Sequence, residues 1–156
     1  MKHQLMISYE EYDSINDLPS IDVRLLSDAM AATDGAYAPY SGFHVGVALL
    51  LGDGTTVKGS NQENVAYPSG LCAERTAIFA ASAQRPEMRS YIAMAIVGRN
   101  SDGVYCEASP CGACRQVLVE YERNQGHPMR VLCYLANGRV RVFEKASDLL
   151  PFSFDF

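Results

Sequence analysis

The run Ser109-Pro-Cys111-Gly-Ala-Cys114-Arg115-Gln116 constrains this chain more than any other stretch of it. Its two cysteines open what reads as a helix over residues 111–125, stopped by Gly126 and Pro128. Positions i and i+3 share a helix face, so both sulfurs can close on a single ion. A third cysteine, Cys72, stands just before an alanine-rich helix over residues 73–83 that ends ahead of Pro86. A helix start carries unpaired N–H groups and partial positive charge, which favour thiolate over thiol. Three protein ligands and an open fourth position are what a catalytic zinc site uses; a structural one asks for a fourth Cys or His. Taken alone, Cys-x-x-Cys equally suits a structural zinc knuckle or a redox pair.

The other two cysteines read as structural. Cys133 lies in the apolar run Arg130-Val-Leu-Cys-Tyr-Leu, and Cys106 in Val104-Tyr-Cys-Glu-Ala. An odd count of five, with no apolar h-region in Met1-Lys-His-Gln-Leu-Met, argues against a disulfide framework and a signal peptide. A cytoplasmic location with reduced thiols is expected. The only histidines, His3, His44 and His127, read as surface or strand residues rather than ligands. Eighteen acidic against thirteen basic residues give a net charge of −5, with no basic run. Binding to a polynucleotide rests on neutralising phosphates, so that partner is excluded. No apolar run approaches membrane-spanning length, so no membrane partner is expected.

At 156 residues the chain has room for one domain. Residues 1–20 read as an N-terminal extension and 21–156 as the domain. Ser20 or Asp22 can cap a helix reaching about residue 36. Strands follow at 45–51 and 55–58 around Gly52-Asp-Gly54, then at 92–97, 130–135 and 140–143, the last two joined by Asn137-Gly138. Residues 61–70 and 98–110 read as loops. Strands alternating with helices after an initial hairpin point to an α/β layer fold with a mixed sheet.

Cys72-Ala-Glu74-Arg75, followed by Pro110-Cys-Gly-Ala-Cys114, resembles the zinc-dependent cytidine deaminases, whose signature pairs a His or Cys and x-Glu with Pro-Cys-x-x-Cys. A cysteine as first ligand is similar to the short-chain, homotetrameric branch. Tyr40-Ser-Gly-Phe43-His-Val-Gly46, Asn61-Gln-Glu63-Asn64 and Asp148-Leu-Leu-Pro-Phe-Ser-Phe154 add to the resemblance, which spans about residues 25–154. It implies a three-layer fold, a mixed five-stranded sheet with helices on both faces. It also implies hydrolysis of cytidine and 2′-deoxycytidine to the uridines and ammonia, in pyrimidine salvage, with one Zn²⁺ per chain held by Cys72, Cys111 and Cys114.

In that reading a hydroxide attacks C4 of the base and Glu74 shuttles the protons. Three thiolates on Zn²⁺ leave a net −1; Arg75 is expected to draw charge off the sulfurs, with Arg115 a second candidate. Phe43, Asn61, Glu63, Tyr67, Ala73 and Phe154 are the implied substrate-binding residues. Asn61 and Glu63 would meet ribose hydroxyls, and Phe154 would enter the pocket of a neighbouring subunit. Deamination of a modified cytosine nucleoside or antibiotic, and a non-catalytic zinc-stabilised module, are the competing readings.

Overall fold

The computed structural model describes residues 1–156. The strands are β1 (Glu10–Tyr12), β2 (His44–Leu51), β3 (Thr56–Ser60), β4 (Tyr91–Arg99), β5 (Tyr105–Cys106), β6 (Arg130–Tyr134) and β7 (Val140–Phe143). The helices are α1 (Ser20–Ala32), α2 (Ala73–Gln84) and α3 (Gly112–Gln125). One sheet runs β1-β7-β6-β4-β2-β3, and β5 pairs with the end of β4. Only β4 and β6 are parallel, joined by the crossover through α3; every other pairing is antiparallel.

Side chains alternate across the sheet as a period of two requires. Val47, Leu49 and Leu51 of β2, Met94 and Ile96 of β4, and Val131 and Cys133 of β6 meet Ala77, Ile78 and Leu118 from α2 and α3. Ala48, Ala93, Ala95, Val97 and Leu132 point the other way, onto Leu25, Leu26 and Ala29 of α1. The three layers are therefore α1, the sheet, and α2 with α3. No helix is long and apolar enough to cross a membrane.

The expected five-stranded sheet is corrected to seven strands. β5 occupies part of the stretch read as a loop, and β1 lies in the N-terminal extension. Both are too short to show periodicity; β5 forms by folding back on the nearby end of β4, and β1 by meeting a distant partner. Glu10, Glu11 and Tyr12 pair with Val142, Arg141 and Val140, and the Glu11 carboxylate holds Arg139 at 2.7 Å and Arg141 at 2.6 Å. The start of α1 also differs: Pro19 is its N-cap, with no side-chain hydrogen bond. Asp22 is buried instead, at 2.8 Å from Arg130. The Asn137-Gly138 turn forms as its residues demand, at φ 61° and 80°.

Two glycines set how closely helices approach the sheet. A Cβ on Gly46 would lie 2.0 Å from the Ala29 carbonyl oxygen of α1. On Gly59 of β3 it would lie 2.6 Å from both the Ala73 oxygen and the Ala77 nitrogen. Backbone contact thus seats the first turns of α2 on the sheet.

Candidate active site and metal centre

Cys72 and Cys111 are the N-cap residues of α2 and α3, with extended backbones (φ/ψ −71°/155° and −67°/169°). Helix α2 follows β3, and α3 follows β4 by way of β5, which folds back on the end of β4; β2 runs between β3 and β4. The first turns of the two helices nevertheless converge. The Cys72 and Cys111 sulfurs are 3.7 Å apart, those of Cys111 and Cys114 3.5 Å. All three lie within 4.8 Å of one another.

Those distances fit a metal. A zinc ion at about 2.3 Å from each thiolate in a tetrahedron separates its sulfurs by roughly 3.8 Å. A soft, three-sulfur donor set suits zinc, and the three residues could hold it with one coordination position left over. The sulfurs also act on each other. A hydrogen bond from Cys114, helped by the Arg75 guanidinium, holds the Cys72 thiol down to about 5. Cys114, buried and donating to Cys72, is pushed up.

Glu74 sits on the first turn of α2, 4 % exposed. Burial, reinforced by the charge on Cys72, pushes its carboxyl up to about 7. A carboxyl poised there can give and take a proton at neutral pH. Ala73 beside it is fully buried. Arg75 Nη2 lies 3.7 Å from Cys72 Sγ. Arg115 does not approach a sulfur in this way; its Nε donates to the Pro110 carbonyl at 2.8 Å and its Nη1 to that of Leu149 at 3.2 Å. It braces the residue before Cys111.

A cleft of about 450 Å³ opens beside Cys72 and Arg75. Asn61, Glu63 and Tyr67 line it, together with Tyr40, Ser41, Gln62 and Leu71. The Gln62 and Leu71 backbones exchange two 2.9 Å hydrogen bonds, which fasten the Asn61–Glu63 segment to the residue preceding Cys72. Asn61 Oδ1 accepts from the Val45 N–H at 2.7 Å, and its Nδ2 donates to the Phe43 carbonyl at 2.9 Å. Glu63 accepts from the backbone N–H groups of Tyr40 and Ser41.

Phe43 is half-buried and reaches over Gly98, where a Cβ would lie 2.8 Å from its ring. Phe154 is the one expected site residue that the chain keeps apart from the rest. Its backbone is tied to the Gln116 side chain on α3 by bonds of 2.9 and 3.0 Å, and it is 67 % exposed. Tyr40, Ser41, Gln62 and Leu71 line the cleft without being among the expected site residues. The signal for the first two was available, since they open the Tyr40-Ser-Gly-Phe43 motif.

The sequence of residues 19–125 matches the profile of the cytidine and deoxycytidylate deaminase zinc-binding region. A cytidine deaminase of Halalkalibacterium halodurans is 41 % identical over 131 residues, covering 83 % of this chain and 91 % of that protein. One of Mycobacterium tuberculosis is 37 % identical over 141 residues, covering 88 % and 92 %. The crystal structure of the cytidine deaminase from Burkholderia pseudomallei has a TM-score of 0.74 to this fold at 42 % identity, over 85 % of this chain and 98 % of that one. The profile match takes in both helix starts that carry the sulfurs, and the relatives span nearly their whole length on this chain: it belongs to the zinc-binding cytidine and deoxycytidylate deaminase family.

Proposed function

We propose that the protein hydrolyses cytidine and 2′-deoxycytidine to uridine and 2′-deoxyuridine with release of ammonia, a step of pyrimidine salvage. One observation carries this reading: a buried carboxyl, Glu74, raised to about 7 beside a three-sulfur triangle whose Cys72 lines a cleft of nucleoside size.

Zinc, when bound by Cys72, Cys111 and Cys114, lowers the pKa of water so that a hydroxide nucleophile is available near neutral pH. Glu74 takes the proton released from that water and delivers it to N3 of the pyrimidine as C4 is attacked. It then takes the proton of the new C4 hydroxyl and passes it to the departing amine, so that C4–N breaks as C4=O forms and one carboxyl serves the whole sequence. Arg75 stabilises the negative charge of the thiolates. Asn61 retains one free N–H and Glu63 one open acceptor direction on Oε1 after their internal bonds, enough to receive sugar hydroxyls. Phe43, Tyr67 and the Ala73 backbone surround the base. The rings of the C-terminal tail face outward, which supports a homotetramer in which Phe154 completes a neighbour's site.

The absorbance change from cytidine to uridine tests this directly. Zinc-loaded protein should convert cytidine and 2′-deoxycytidine with one ammonia per base. Activity confined to a modified cytosine nucleoside would shift the substrate, and no turnover of any cytosine nucleoside would end the reading.

A further inference from the structure

Ser41 stands between two residues of the cleft. Its hydroxyl donates to Glu63 Oε1, and its Oγ accepts the Phe43 N–H at 3.0 Å. A serine hydroxyl has one proton and two lone pairs. With the Phe43 N–H aimed at the oxygen, the proton is directed to the carboxylate. On the other side, Glu63 Oε2 accepts the N–H groups of Tyr40 at 2.9 Å and Ser41 at 3.3 Å. These donors hold the Glu63 carboxyl below its usual range, the Ser41 hydroxyl contributing most.

The count of acceptor sites then matters. A carboxylate offers about four lone-pair directions, two on each oxygen. Both directions on Oε2 are filled from the backbone, and one on Oε1 is filled by Ser41. One acceptor direction is left, on the oxygen that Ser41 fixes. Glu63 and Ser41 both line the cleft, so that direction is available to a ligand.

We propose that Ser41 is a positioning residue for sugar recognition: it fixes Glu63 with a single acceptor site open, so that the sugar hydroxyl is read through Ser41. The proposal rests on the deaminase reading above and adds a residue to it. The Phe43 backbone is anchored by Asn61 at its carbonyl as well as by Ser41 at its N–H, so removing the Ser41 hydroxyl should fall chiefly on the sugar.

Calorimetric titration with uridine and with 2′,3′-dideoxyuridine, which lacks both sugar hydroxyls on the ring, separates the roles. In zinc-loaded protein Ser41→Ala should weaken uridine about tenfold, the scale of one charge-assisted hydrogen bond near solvent. It should raise KM for cytidine by a similar factor with much less change in kcat, and leave the dideoxy ligand where it was. Ser41→Thr should recover most of the loss. In a Glu63→Ala background, Ser41→Ala should add nothing. Equal weakening of both ligands, additive losses, or an unchanged uridine affinity would each overturn the role given to Ser41. A wild-type protein with no affinity for either ligand overturns it together with the deaminase reading.

Discussion

Arg75 Nη2 faces Cys72 Sγ across 3.7 Å, while its Nε is buried with no partner. The guanidinium is therefore committed to the sulfur cluster at the cost of leaving one donor unmet. Such an arrangement is retained where the charge is needed. Replacing Arg75 by Gln should reduce kcat/KM for cytidine by about 10–100-fold, the range for groups that tune a metal ligand. Lys should restore only part, since a point charge lacks the planar fork. Kinetics paired with elemental zinc analysis check this; full activity in Arg75→Gln would remove Arg75 from the zinc environment.

Metal binding and proton transfer should separate cleanly. Cys111→Ala deletes one vertex of the sulfur triangle, and both zinc and turnover should be lost. Glu74→Gln keeps the shape of the first turn of α2 without a transferable proton. Its zinc content should hold while kcat falls by at least ~10²–10⁴-fold, the usual scale for a lost general acid–base. Zinc loss in Glu74→Gln would mean that the carboxyl serves the metal instead.

Arg130 secures a carboxylate that has nowhere else to turn. Asp22 is 1 % exposed and meets Arg130 through contacts of 2.8 and 3.1 Å, joining α1 to β6. Removing one partner of a buried pair strands the other charge. Because Arg130 is partly open to water, Arg130→Leu should destabilise by about 2–3 kcal/mol, less than a fully buried pair would show. Urea unfolding measures it. Changing Asp22 to Leu as well should recover part of the loss; a double variant worse than Arg130→Leu alone would contradict the stranded-charge account.

The tail is held by its backbone and presents its rings. Gln116 clasps Phe154, and Arg123 reaches Ser153 at 3.0 Å and Asp155 at 2.7 Å. Phe152, Phe154 and Phe156 are left exposed. Light scattering should give about four times the chain mass of 17.1 kDa. Phe154→Ala should raise KM for cytidine with zinc retained. A fully active monomer at assay concentration would refute the shared site.

What the sequence disclosed depended on the range of the signal. The alternation in β2 and β4 and the Asn137-Gly138 turn are local, and they are legible. β1 is not, because Glu10-Glu11-Tyr12 becomes a strand only on meeting β7 at the far end of the chain. Asp22 shows the same conflict: helix-start rules make it a cap, and a partner 108 positions away claims it instead. At the site, spacing puts Cys111 and Cys114 on one helix face, while the joining of Cys72 to them is implied by the family resemblance and formed by the convergence of α2 and α3. The place of Leu71 depends on loop packing, and that of Arg115 on two carbonyls that no spacing rule foretells.

Gly59 gives the sulfur triangle a mechanical tolerance. Cys72 rides on a helix resting directly on the backbone of β3, while Cys111 and Cys114 ride on another helix altogether. A methyl group at Gly59 would act as a shim under α2, lifting one vertex of the triangle relative to the other two. The sheet could absorb that displacement by small adjustments spread over many contacts. Metal–sulfur bonds, whose lengths vary by only about 0.2 Å, could not. The alignment of the metal centre thus hangs on a hydrogen atom in a strand that carries no ligand, and Gly59→Ala should fold while failing to load zinc.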